Sequence, residues 1–331
     1  GPGDIGAVAK LKETKAGDWL ASRDEPITMP SIKLPAPVMA FAVEPKSKGD
    51  EEKVFGALRR LQEEDPTIDL HRDPQTGEQI VAGLSQVHVE VIVERLKSRF
   101  GAEVNLKPPR VPYQETIRKP AKAHGRHKKQ TGGRGQFGDC HIEIEPLEPG
   151  GGFEFIDAIK GGVIPSGFIP AVQKGVLDAM NEGVVAGYPV KDVRVRLYDG
   201  SYHTVDSSEM AFKVAGSLAM KQALEEAGPV LLEPIMLATV NVPEDTVGDV
   251  IGDLNSRRGR PLGMEPVGAG MTEVKAEVPM SEMLSYAPDL RSITGGQGEF
   301  TIEFLRYEEI PGHLAGKVVD EARAEREAVK A

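Results

Sequence analysis

The chain has 331 residues, enough for about two average domains. Forty basic against fifty-one acidic side chains give a net charge of −11, so any contact with nucleic acid must come from local clustering rather than overall charge. No run of eighteen apolar residues occurs, no charged-then-apolar leader opens the sequence, and the single cysteine, Cys140, excludes an internal disulfide framework and any Cys-x-x-Cys site; the expected setting is a reducing cytoplasm, without a membrane partner.

In chain order, residues 3–30 read as short strands at 4–8, 14–18 and 19–20, too few to close a barrel, and are expected to be the end of a β domain. Residues 38–43 are an apolar run bounded by prolines, as in a buried strand. A helix follows over 50–64, with Val54, Leu58 and Leu61 at helical spacing. Strands at 68–71 and 79–82 flank Asp73-Pro74-Gln75-Thr76-Gly77, a hairpin turn. A second helix over 85–100 stops at Gly101, and a strand at 102–106 closes the unit. The order βαββαβ is the ferredoxin-like unit.

The same order recurs late, with a strand at 234–243 and a helix carrying Val247, Val250, Ile251 and Leu254. Strands at 262–267 and 272–278, one helix over 281–290 and a strand at 298–307 complete it. Two distant copies predict two separate small domains. Between them, 110–232 holds strands near Tyr113, at 141–145 and at 190–198, with helices over 169–181 and 207–227. Asp206 is placed to cap the second of these, with Glu209 closing a capping box. From His313 onward an acidic-basic helix carries Leu314, Val318 and Ala322 on one side and needs a partner surface.

Most enzymatic motifs fail. Gly133-Arg134-Gly135-Gln136-Phe137-Gly138 matches Gly-x-Gly-x-x-Gly, but a basic polar stretch precedes it and a strand follows, the wrong context for a dinucleotide. The phosphate loop with Gly-Lys-Ser/Thr is absent, as is Asn-Lys-x-Asp, so this chain alone should neither bind nor cleave GTP. Asp199, Ser201, His203 and Asp206 crowd into one turn, which suits loop chemistry better than a hydrolytic triad. His124 and His127 have Lys and Arg neighbours that repel a cation, so no metal set is expected.

One cluster stands out. No Asp or Glu occurs from Thr116 through Gly138, while Arg118, Lys119, Lys122, Arg126, Lys128, Lys129 and Arg134 fall within it. It ends in Gln130-Thr131-Gly132-Gly133-Arg134-Gly135-Gln136, where glycines admit a ligand close to the backbone and Arg can fork onto phosphate. A solvated basic loop and an RNA-facing loop both fit; the second is preferred. If ~5 of these cations meet phosphates, binding should fall with salt at a log-log slope of roughly −3.5. A weaker basic spot lies at Arg257, Arg258 and Arg260.

Four segments resemble bacterial elongation factor G: residues 130–138; Gly161-Gly162-Val163-Ile164-Pro165; Gly200 through Ser208, containing Ser201-Tyr202-His203-Thr204; and Gly248-Asp249-Val250-Ile251-Gly252-Asp253-Leu254. The resemblance implies an α+β multidomain chain. Residues 1–31 would be the tail of a β-barrel domain (domain II), a short barrel remnant, and 32–109 a ferredoxin-like domain (III). Residues 110–232 would be an α/β domain like domain 2 of ribosomal protein S5 (IV), 233–308 a second ferredoxin-like domain (V), and 309–331 a helix packing on domain IV. It further implies a monomeric, ribosome-binding translocation factor that contacts transfer RNA and messenger RNA at the small-subunit decoding region. The nucleotide domain would lie outside this chain: no cofactor here, GTP and Mg in the intact family protein.

By motif position, the RNA-facing tip would be Gln130 to Gln136, Pro165, Ser166 and Gly167, and Ser201, Tyr202 and His203, with Gln130 and His203 nearest the codon–anticodon helix. Lys122, Arg126, Lys128 and Lys129 would form a basic loop on phosphate. Arg257 and Arg258 would be candidates for large-subunit factor-binding RNA. The sequence departs from the family at Ser85-Gln86-Val87-His88 and at His124 to Lys129, as a divergent paralogue would. A ribosomal-protection or recycling paralogue, and a non-enzymatic RNA-binding module, remain open alternatives.

Overall fold

The computed structural model describes residues 1–330 except 13, 28, 31, 33, 36 and 131–134, and leaves out the side chains of 325 and 328–330. It forms two compact units, Gly1–Val111 with Met236–Phe304, and Pro112–Ile235 with Leu305–Ala331.

The first unit begins with β1 (Met39–Pro45), α1 (Glu51–Glu64), β2 (Asp69–Arg72), β3 (Gln79–Gly83), α2 (Gln86–Phe100) and β4 (Val104–Lys107). The strands form one antiparallel sheet in the order β2-β3-β1-β4. Helix α1 buries Val54, Ala57, Leu58 and Leu61, the stripe that its 3.6-residue period aligns. Helix α2 is capped by Ser85, whose Oγ accepts the His88 N–H at 3.1 Å, and ends where Gly101 turns left-handed at φ 60°. His88 Nδ1 accepts the Leu84 N–H at 3.1 Å, so Nε2 carries the proton and meets Asp65 at 3.1 Å. The departure at Ser85–His88 thus makes a helix cap. Before β1, the described residues contain no strand, and those expected at 4–8, 14–18 and 19–20 do not form. A strand needs a neighbour to take up its backbone groups, and Ile5, Trp19 and Leu20 are exposed.

The second unit contains β5 (Gln114–Ile117), β6 (Ala121–Lys129), β7 (Gln136–Pro146), β8 (Phe153–Asp157), α3 (Ile169–Glu182), β9 (Val193–Ser201), α4 (Glu209–Glu226) and the start of β10 (Pro229–Pro243). Its sheet runs β6-β7-β9-β8, antiparallel except that β8 and β9 are parallel and joined through α3. Cys140, Ile142 and Ile144 of β7 and Val193, Val195 and Leu197 of β9 alternate inward onto Val172, Val176, Phe212, Ala215 and Ala219 of the two helices. Two glycines set how closely α4 approaches the hairpin: a Cβ on Gly125 would lie 2.0 Å from the Ala215 carbonyl oxygen, and one on Gly138 2.4 Å from that of Ala211. The cap of α4 is Ser208, whose Oγ accepts the Ala211 N–H at 3.2 Å. Asp206, expected in this role from its spacing to Glu209, instead lies beside His203.

Continuing along the chain come α5 (Val247–Ser256), β11 (Arg260–Gly268), β12 (Met271–Pro279), α6 (Met280–Met283), α7 (Tyr286–Ile293), β13 (Glu299–Glu309) and α8 (Gly312–Lys330). The order β11-β12-β10-β13 repeats that of the first sheet. In place of the single helix expected over 281–290, two form. Pro288 has no N–H and is tolerated only in a helix's first turn, so the chain restarts at Tyr286. The two copies keep separate sheets yet share a core within the first unit: Met39 and Phe41 of β1 join Val250, Leu254, Val274, Val278 and Tyr286. In the second unit, Leu314, Val318 and Ala322 of α8 pack with Ala186, Leu231 and Ile310.

Candidate nucleic-acid interface

Three of the segments singled out from sequence meet at one end of the second unit. The β6–β7 hairpin brings Lys129 opposite Gln136, and antiparallel pairing brings the end of β9 to the start of β7, with Asp139 opposite Ser201. The loop after β9 is tied down there: the Ser207 Oγ donates to the Phe137 carbonyl at 3.0 Å, and the Phe137 N–H donates to that of Asp206 at 2.9 Å. Pro165 leads into a short 3-10 turn, Ser166–Phe168, that enters α3. Phe168 stacks on Phe212 of α4 at 4.9 Å, so both helices start at this end. Helix N-termini carry a partial positive charge suited to phosphate. Ser166, Gly167, Ser201, Tyr202, His203, Gln130 and Gln136 are exposed there. Thr131, Gly132, Gly133 and Arg134 lie outside the described residues.

His203 turns Nδ1 inward, toward backbone donors and 3.4 Å from an Asp206 carboxylate oxygen. Its Nδ1 accepts the backbone N–H groups of Asp206 at 3.1 Å and Val205 at 3.3 Å, so in the neutral ring the proton sits on Nε2. The ring is about half exposed and can donate that proton outward. Gln136 Oε1 accepts from His127 Nε2 at 2.8 Å. Gly138, the last glycine of the Gly-x-Gly-x-x-Gly match, lies within β7 and serves helix packing.

The basic residues are not a loop. Lys122 to Lys129 belong to β6, and the period of two puts Lys122, His124, Arg126 and Lys128 on the exposed face. The paired strand supplies acids: Lys122 Nζ lies 3.5 Å from Glu143 and Arg126 Nε 3.7 Å from Asp139. Lys128 and Lys129, nearest the tip, have no acidic partner among the described residues. Arg257 and Arg258 are likewise engaged. Arg257, with a side chain only 12% exposed, binds Asp253 at 2.8 Å, the Glu282 carbonyl at 2.9 Å and Asp289, and lies over Tyr286. Arg258 Nε reaches Glu282 at 3.1 Å. Both make ion pairs within the first unit.

Two arrangements escape a reading of the sequence. His124 meets His141 and Asp139 across the strand pair rather than its sequence neighbour His127. Once β6 is read as a strand, the alternation of His124 with Asp139 and His141 is the signal. Glu115, fully buried, accepts five backbone N–H groups, from Val184, Val185, Ala186, Gly187 and Tyr188. A lone glutamate in a short strand carries no local sign of this. Among the described residues, no helix is long and apolar enough to cross a membrane.

Comparison with known proteins gives one family along the chain. Residues 34–108 match the model described as Elongation Factor G, domain III, 109–228 Elongation factor G, domain IV, and 230–318 Elongation factor G C-terminus. An "Elongation factor G-like protein" of Thermotoga maritima is 51% identical over 325 residues, 98% of this chain and 48% of the relative. A crystal structure of a Thermus thermophilus protein aligns with a TM-score of 0.78 at 46% identity, covering 88% of this chain and 44% of that one. The chain therefore spans about half the length of the relatives it matches. With three consecutive models of one family laid end to end over residues 34–318, the chain belongs to the elongation factor G family.

Proposed function

We propose that this chain is the ribosome-binding part of a translation elongation factor G-like protein, which promotes movement of transfer RNA and messenger RNA during protein synthesis. The observation that carries the reading is the gathering of Gln130, Gln136, Ser166, Ser201 and His203 at one end of a compact α/β unit, beside two helix N-termini. A short A-form duplex presents 2′-hydroxyls in a wide, shallow minor groove. A His203 Nε2–H donor and exposed amides can meet those groups without reading bases, as a factor serving every codon must. Residues 131–134 would complete the tip, and Lys128 and Lys129 would meet backbone phosphate.

In this reading residues 32–109 and 233–308 are ferredoxin-like domains, 110–232 an S5 domain 2-like fold, and 1–31 the end of a β-barrel domain. GTP and Mg belong to a part of the family protein outside this chain, and the working site is the cytoplasm. The test is His203→Ala in the intact factor. Ribosome-stimulated GTP hydrolysis should stay near normal while translocation in a pre-steady-state assay slows about tenfold, the scale of one lost charge-free hydrogen bond plus its positioning. Unchanged translocation refutes the role of the tip.

A further inference from the structure

We propose that His124, Asp139 and His141 form a divalent transition-metal site of the zinc class at the root of the β6–β7 hairpin. His124 and His141 are directly opposite each other in the strand pairing, and Asp139 is two residues before His141, so all three project from one face of the sheet. Opposite positions on paired strands bring Cβ atoms within about 5 Å, which lets a cross-strand pair and one neighbour converge on a single ion.

The donor atoms have already converged. His124 Nε2 is 3.2 Å from one Asp139 oxygen and His141 Nε2 3.9 Å from the other, with all three donors within 4.8 Å of one another. The imidazole rings stack at 4.0 Å, 4° from parallel, and both turn Nε2 toward the Asp139 carboxylate. A tetrahedral ion with bonds of about 2.0–2.1 Å needs donors about 3.3 Å apart, and binding requires the stacked rings to tilt toward each other so that both in-plane lone pairs meet the ion. Two imidazoles and a carboxylate suit a borderline ion far better than magnesium or calcium, which take oxygen.

Burial separates this cluster from a chance grouping. The Asp139 carboxylate is 10% exposed, whereas the two imidazoles are 44% and 33% exposed. The charge is thus held low on the sheet, with the neutral ligands above it and a fourth position open to water. Its competitor is Arg126, at 3.7 Å. Arg126 also lies over the Phe137 ring at 5.7 Å, an alternative resting place when a cation takes the carboxylate. Bound there, the ion clasps β6 to β7 immediately below the tip. The inference stands independently of any ribosomal role.

The experiment is calorimetric titration of the full chain with zinc, with magnesium as the control ion and cobalt(II) absorption as a coordination probe. Expected are one zinc per chain with a Kd on the order of micromolar, no response to magnesium, and tetrahedral cobalt bands. Affinity should fall at least about tenfold in His124→Ala and in His141→Ala and hold in His71→Ala, which removes a histidine of the other unit. No zinc uptake at about 100 μM, or uptake unchanged in both variants, overturns the site. Should either variant misfold, histidine ring signals of the unaltered protein decide. Zinc must shift those of His124 and His141, and shifts confined to other histidines overturn the proposal.

Discussion

Glu115→Gln is the sharpest probe of what holds the second unit in shape. Glu115 Oε1 accepts from Ala186, Gly187 and Tyr188 at 2.9, 2.8 and 3.1 Å, and Oε2 from Val184 and Val185 at 2.7 and 3.0 Å. The amide keeps one acceptor oxygen and turns an NH2 group on the remaining two or three N–H donors, which then face a donor in a site closed to water. With the amide oxygen kept on the three-donor side, two donors are stranded at about 1–3 kcal/mol each, so the substitution should destabilise by roughly 2–6 kcal/mol. That is a large share of a typical domain's stability of about 5–15 kcal/mol. The melting temperature should fall on the order of 10 °C for a unit of this size. Because Ala186 packs with Val318 and Ala322, the footing of α8 should loosen with it. Hydrogen exchange at the amides of 184–188 reads the same event locally. A variant melting within about 2 °C of the parent, with those amides equally protected, would refute the account.

Further outcomes follow from the same contacts. Gly138→Ala should cost about 1–3 kcal/mol, read by urea unfolding, because its methyl meets the Ala211 carbonyl at 2.4 Å and pushes α4 off the hairpin. Burial pushes the Cys140 thiol up to about 12 from its ordinary 9.0, so the native protein should resist a thiol reagent at pH 8 and react once unfolded. The sign for stability follows: the contribution is complete below pH 9.0, where the unfolded thiol is also neutral, and is lost as pH rises towards about 12. Arg257→Ala should destabilise by about 1–3 kcal/mol, by taking the donor from the half-buried Asp253 carboxylate and the Glu282 carbonyl and emptying the space over Tyr286, seen as a shift in denaturant midpoint; Asp289 is exposed and stays solvated. Binding of a short RNA duplex, followed by anisotropy, should show a shallow salt slope of about −1.8 if Lys128 and Lys129, the cations at the tip end of β6 without an acidic partner among the described residues, meet phosphate; a slope of about −3.6 would mean Lys122 and Arg126 abandon their acids.

The elements legible in the sequence are those whose signal is local. Helix α1 follows from Val54, Leu58 and Leu61, and α2 from its apolar stripe and the Gly101 stop. The repeat of one strand order in two sheets is readable because each copy carries its own periodicity and turns. Helices α6 and α7 merge in the sequence because apolar spacing continues through Leu284, although Pro288 marks the break. Strand β6 reads as a loop because alternating Lys, His and Arg hides the inward Ala123 and Gly125.

What stays hidden depends on which strands become neighbours. In one dimension, residues 116–138 look like uncompensated positive charge, because no acid occurs among them. In the sheet, β7 lays Glu143 beside Lys122 and Asp139 beside Arg126, so the surplus shrinks along β6 and survives at its far end, at Lys128 and Lys129. The same pairing turns two histidines seventeen positions apart into stacked neighbours over a shared carboxylate. Charge available to a polyanion is therefore a property of the paired strands. It is concentrated at the end of β6, at Lys128 and Lys129, which is where the proposed RNA-facing tip would need it.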